Sequence, residues 1–226
     1  GRLGRTIREV AFETCGDVSL FVNLHSQELS SRWLVQPDDP VGFHGKPVYL
    51  EITESATLTH FEVCRDVLKD LCKRTGARLV VDDFGAGYSN LERVVELAPE
   101  VVKLDLALTR DIHLRKPKQI VMRHITNMCR ELGALVIAEG VEEIDELLCI
   151  RDLGVDCAQG YLLARPASPP PAHAWPAAMQ GARPPASQKG PPPLPARKAP
   201  SAAPPKRGSK RPGVSKTAST KPPRRA

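Results

Sequence analysis

The sequence predicts an α/β fold, a TIM-type (β/α) barrel of about six strands that is incomplete at its N-terminus and followed by a disordered C-terminal tail. Three observations carry that expectation. Short, continuous apolar runs recur through residues 1–168 without alternating with polar residues, as in strands covered on both faces. Helical apolar stripes closed by glycine lie between them. Charged or amide side chains stand at the C-terminal end of each run, where barrels and doubly wound sheets place their active sites.

The runs are Val18–Leu24, Val48–Ile52, Arg78–Val81, Val101–Leu104, Leu135–Ala138 and Val155–Ala158. One helical stripe is Cys64, Val67, Leu68, Leu71 and Cys72, stopped by Gly76. A second is Val121, Ile125, Met128, Cys129 and Leu132, stopped by Gly133. The third is Ile144, Leu147, Leu148 and Leu153, stopped by Gly154. Six polar strand ends with no GxGxxG fingerprint favour a barrel over a dinucleotide-binding sheet. A full barrel takes eight strands and about 250 residues, so two strands are wanting. The chain opens at Gly1 without an initiator Met, and the expectation is a fragment whose first strands lie upstream. Such an open sheet is expected to aggregate, to dimerise through its gap or to fold poorly.

Composition divides the chain in two. Residues 1–168 hold 20 basic and 26 acidic side chains, a formal charge of −6. Residues 169–226 hold 12 Lys/Arg, no Asp or Glu, and 16 of the 22 prolines. That composition cannot offset the entropy of ordering, so the segment reads as disordered. Its Pro192–Arg197 stretch fits a PxxPxR docking pattern. The charge alone suits nucleic acid or an anionic surface, and a solvated extension is the alternative reading. No apolar run reaches the length of a membrane-spanning helix. Six scattered cysteines (15, 64, 72, 129, 149, 157) form no C-x-x-C pair, which argues against a zinc site or a disulfide scaffold and for a reducing cytoplasm.

The polar strand ends are Asn23, Glu51, Asp82-Asp83, Lys103, Glu139 and Gln159. Four carboxylates converging in one cavity stay ionised only if cations neutralise them. With Asn23 as a neutral oxygen donor, this set suits Mg²⁺ or Mn²⁺. The adjacent aspartates could serve two metals, an arrangement that clamps both oxygens of a phosphoryl displacement. Lys103 would then stand beside the attacking water or the phosphate. The plain alternative is a set of helix caps and salt bridges. Asp83-Phe84-Gly85 also matches a kinase tripeptide, but neither the glycine-rich loop nor the catalytic loop of a kinase is present. Gly85, Gly87 and Tyr88 read as a mobile loop or a plain turn.

Val22-Asn23-Leu24, Glu51–Ser55, Asp82–Ser89, Lys103-Leu104-Asp105, Ala138–Glu142 and Gln159-Gly160-Tyr161 together resemble the EAL-domain family of cyclic di-GMP phosphodiesterases, in order and across residues 1–168. The resemblance implies hydrolysis of cyclic di-GMP to linear pGpG with two Mg²⁺ or Mn²⁺ ions, in bacterial second-messenger signalling. It implies Asn23, Glu51 and Asp82 at the first metal and Asp82, Asp83 and Glu139 at the second, with Glu139 alternatively a general base. By the same likeness Lys103 positions the water, Glu54 steadies the 84–89 loop, and Asp105, Glu142 and Gln159 support or line the site. A homodimer and an upstream regulatory domain also follow from it. The Glu-Ala-Leu that names the family, with its metal-binding glutamate, is absent here, leaving the first metal site incomplete. His25, Ala86 and Leu106-Ala107 replace the usual Ser, Thr and Arg-Ser. A binding module that recognises cyclic di-GMP without turning it over is the second expectation, and an interaction protein driven by the basic tail is the third.

Overall fold

Six parallel strands form one sheet in chain order: β1 (Leu20–Asn23), β2 (Val48–Thr53), β3 (Arg78–Phe84), β4 (Val101–Leu104), β5 (Leu135–Ala138) and β6 (Cys157–Ala158). The computed structural model describes residues 2–16, 18–25, 28, 40–53, 61–86, 91–167, 171, 175, 176 and 179. Parallel neighbours need a crossover, and helices supply most of them. The helices are α1 (Arg2–Thr14), α2 (Phe61–Thr75), α3 (Leu91–Leu97), the short α4 (Leu106–Thr109), α5 (Lys116–Glu131) and α6 (Ile144–Asp152). The sheet curls into a half-barrel whose outermost strands, among the described residues, are β1 and β6.

Local chemistry sets the helix ends. In α2, Glu62 lies in the first turn and Lys73 and Arg74 in the last, each sign matching the helix dipole. Gly76, at φ 70°, terminates it in the left-handed region that costs glycine nothing. Pro117 opens α5, where the first N–H groups have no intrahelical partner to lose. The buried side of α5 is turned from the sequence expectation: Met122, Thr126 and Cys129 are fully buried, whereas Val121 is 45 % exposed. Thr126 broke the apolar pattern on which that stripe was read.

The strands have two unlike faces. Leu50 and Ile52, Leu79 and Val81, Val102 and Leu104, and Val136 and Ala138 belong to the main core, together with Leu68 and Leu71 of α2 and Leu147 and Ile150 of α6. Residues of the opposite parity point into the curl. There Tyr49, Val80 and Val101 form a second, smaller core with Leu135 and Ile137. Phe21 stacks on Tyr49 at 4.4 Å between ring centroids. A cavity of about 610 Å³ opens above this inner layer, and Trp175 lines it from the far side. The sulfur of Met179 accepts from Arg151 at 3.8 Å and packs against the main core. Contacts of the body therefore reach past residue 168. The remaining tail, including Pro192–Arg197, lies outside the described residues, as do Glu54 and Gly87–Ser89.

Candidate active site

Strand parity selects the site residues. Asn23, Glu51 and Lys103 share the inward parity of Phe21, Tyr49 and Val101, two residues further along each strand. Asn23 is the register partner of Glu51, at the sheet edge, with an exposed side chain. Asp82 follows Val80 on β3 by the same rule, and Glu139 follows Ile137 just past β5. Glu139 extends the β4 pairing, its N–H donating to the Leu104 carbonyl at 3.1 Å.

Asp83 requires a different device. Simple alternation would send it to the helix-covered face. The β3–β4 register shifts between Val81 and Phe84, and Asp83 adopts φ 56°. A bulge of this kind re-aims a side chain. Oxygens of Asp82, Asp83 and Glu139 all come within 4.8 Å of one another, forming the single metal-compatible cluster among the described residues. Gly85, at φ 101°, follows immediately, and a Cβ there would meet Leu108 at 2.5 Å.

Lys103 is the hub. Its Nζ lies 2.7 Å from Glu51 Oε1, 2.9 Å from Asp82 Oδ1 and 2.7 Å from Glu139 Oε1. Glu51, Asp82 and Lys103 are buried and Glu139 is half-buried. Burial raises the pKa of Glu51 and of Glu139, and Lys103 offsets only part of that rise. Burial by itself would lower the Lys103 pKa, but its three carboxylate partners outweigh it and hold the ammonium above its usual value. One ammonium thus faces four carboxylates when Asp83 is included. Glu51 Oε1 and Asp82 Oδ1 are buried and share the Lys103 ammonium with Glu139. Buried anionic oxygens that share a single ammonium, in a cluster carrying surplus negative charge, fit hard divalent cations with oxygen ligands.

A cavity of about 310 Å³ adjoins the cluster, bordered by Asp83, Asp105, Arg110, Glu139, Glu142 and Gln159. Asp105 caps α4, its Oδ1 accepting from the Ala107 N–H at 2.8 Å. Glu142 accepts from Arg110 at 2.9 Å, and both are exposed. The Gln159 backbone pairs with Ala138 and Val141, which leaves its side chain at the cavity wall. Glu54 is the one expected site residue outside the described part. All six cysteines are free, and burial pushes the Cys72 thiol up to about 12, so the thiols stand apart from this chemistry.

Sequence reading missed Glu146. This carboxylate is 1 % exposed and accepts from the N–H groups of Asp111 at 2.8 Å, Glu142 at 3.0 Å and Glu143 at 3.2 Å. Burial acts to raise its pKa, but the three N–H donors outweigh burial and hold it below the ordinary value. The Glu143-x-x-Glu146 spacing, a capping-box pattern at the start of α6, was the available signal.

A family model of the EAL domain matches residues 2–166. The chain belongs to the EAL domain family. It is 32 % identical to the cyclic di-GMP phosphodiesterase PdeR of Escherichia coli over 149 residues, covering 64 % of this chain and 22 % of that protein. It is 33 % identical to the cyclic di-GMP phosphodiesterase RocR of Pseudomonas aeruginosa, covering 66 % of this chain and 39 % of the relative. This EAL chain therefore spans less than half the length of either. Klebsiella pneumoniae BlrP1, solved with cyclic di-GMP and calcium or manganese, superposes with a TM-score of 0.64 at 34 % identity, over 74 % of this chain and 44 % of that one. Among the described residues no helix is long and apolar enough to cross a membrane.

Proposed function

We propose that this EAL chain hydrolyses cyclic di-GMP to linear pGpG with two Mg²⁺ or Mn²⁺ ions held at the strand ends. The observation that carries the proposal is the Glu51–Asp82–Lys103–Glu139 cluster with Asp83 alongside, in which one ammonium serves more carboxylates than it can neutralise. Asn23, Glu51 and Asp82 would hold the first ion, and Asp82, Asp83 and Glu139 the second. Bound there, the ions would activate a water and neutralise charge on the phosphodiester.

The residues themselves do the rest. Lys103 keeps its proton throughout and fixes the carboxylates, so that its ammonium can orient the water and the phosphate oxygens. Glu139, held 2.7 Å from Lys103, is alternatively the carboxylate that would take the proton of that water. Arg110 offers a cation at the cavity border. The exposed ring of Tyr161, with the Arg165 guanidinium 4.4 Å from its centroid, offers a flat surface for a guanine. Asp105, Glu142 and Gln159 support the walls.

A second reading is a receptor that binds cyclic di-GMP without cleaving it. It rests on Asn23, which is exposed on the edge strand β1, so described residues approach the first ion from one side only. The test is a product assay with cyclic di-GMP and Mn²⁺, beside a Lys103→Ala/Glu139→Ala variant. Linear pGpG from the parent and not from the variant is the expected result. Tight binding with no product from the folded parent would establish the receptor instead.

A further inference from the structure

We infer that Glu146 is a positioning residue for the site, a buried carboxylate that locks the Glu139 loop to the loop following Lys103. This rests on the function proposed above and adds a residue to it. The two segments are separate in sequence. One runs from β5 through Glu139 to Glu143, and the other from Lys103 through Asp105 and Arg110 to Asp111. Besides the Glu139–Leu104 backbone hydrogen bond and the close approach of Gly140 to Leu106, side chains tie them together at two points among the described residues. The outer contact is the exposed Arg110–Glu142 ion pair at 2.9 Å, a type that adds little to stability. The inner one is the Glu146 carboxylate, with one oxygen on the Asp111 N–H and the other on the N–H groups of Glu142 and Glu143.

Why a carboxylate at that point? The N–H groups of Glu142 and Glu143 sit at the start of α6, where the helix dipole favours an anion. Asp111 holds a left-handed φ of 56°, and its N–H bond to Glu146 helps to fix that conformation. The acceptor is fully buried, so water cannot replace it without the loops separating. On its other sides the Glu139 loop has no slack. The Val141 N–H donates to Gln159, Gly160 presses against the Val141 backbone, and a Cβ on Gly140 would meet Leu106 at 2.6 Å. Glu142 stands three residues from Glu139, whose carboxylate lies 2.7 Å from Lys103, so the Glu146 anchor and these contacts together fix the short segment that carries Glu139. Groups that hydrogen-bond directly to a metal ligand typically change metal affinity about 10–100-fold when removed, and Glu146, acting one step further out, is placed at the lower end of that range.

The test compares Glu146→Ala and Glu146→Gln with the parent. Manganese affinity is read by the free-ion electron paramagnetic resonance signal, alongside kcat and KM for cyclic di-GMP and the far-ultraviolet dichroism. In Glu146→Ala, manganese affinity is expected to fall about tenfold and kcat by a similar factor, with KM within about twofold. Glu146→Gln, which keeps one acceptor oxygen, is expected to fall between it and the parent. A purely structural role would lower the melting temperature and leave manganese affinity and kcat per folded molecule unchanged, and that result overturns the inference. If Glu146→Ala does not fold, the same criteria apply to Glu146→Gln. A parent that binds manganese but makes no pGpG defeats the proposed hydrolysis, and manganese affinity then decides the inference alone.

Discussion

The two faces of this sheet are built from the same strands and do opposite work. Outward residues such as Leu50, Val81, Val102 and Leu104 are apolar and covered by helices. Inward residues one position away, Glu51, Asp82 and Lys103, are just as buried but charged. The outer face gains stability from every methylene it removes from water. The inner face keeps three carboxylates around one ammonium, with Asp83 beside two of them, an arrangement that opposes folding in the absence of further cations. Period-two alternation lets one short strand serve both ends, because a change on one face leaves the other in place.

That contrast can be broken most sharply at Lys103. Lys103→Met removes the ammonium that contacts Glu51, Asp82 and Glu139 and is expected to cost about 3 kcal/mol of stability and about 10²–10³-fold in kcat. Saturating manganese should restore part of the stability and none of the rate, as read by thermal melts and the product assay. Leu50→Ala, on the outer face of the strand carrying Glu51, should cost about 2–4 kcal/mol, with kcat per folded molecule unchanged. A rate effect as large as that of Lys103→Met would show that the faces are not independent.

Smaller changes sharpen the comparison. Gly140→Ala places a Cβ against Leu106 at φ 68° and should destabilise by about 1–2 kcal/mol by denaturant titration. Glu146 has a pH signature of definite sign. Its folded pKa is lowered, so its stabilisation is present above the ordinary value of 4.5 and is lost as pH falls through the folded value. The stability gap between parent and Glu146→Gln should be widest near neutral pH and close on acidification. Glu51 and Glu139, with raised values, act in the opposite sense in both proteins and cancel from that difference. The exposed Arg110–Glu142 pair marks the lower end, with Arg110→Ala expected to cost no more than about 0.5 kcal/mol.

The sequence made much of this legible, for a physical reason. Strands covered on both faces read as unbroken apolar runs, and a Glu or Lys at the end of such a run stands out. Glu51, Asp82, Lys103 and Glu139 were found in that way, and the structure brings them together around one Nζ. The orientation of Asp83 was not legible, because a bulge and a left-handed φ are backbone events with no side-chain signature at an aspartate. The rotation of α5 was hidden by Thr126, a polar residue buried where an apolar one was sought. Glu146 escaped because its partners are N–H groups, which every residue possesses, and one belongs to a segment 35 residues away.

Manganese binding tests the central claim most directly. The parent and an Asp82→Asn/Asp83→Asn variant would be titrated with Mn²⁺ while the free-ion signal is followed. The parent is expected to remove up to two equivalents of manganese, and the folded variant to lose at least one of them. Equal binding by both, or no binding by a folded parent, would contradict the claim that these strand ends form a metal-dependent active site.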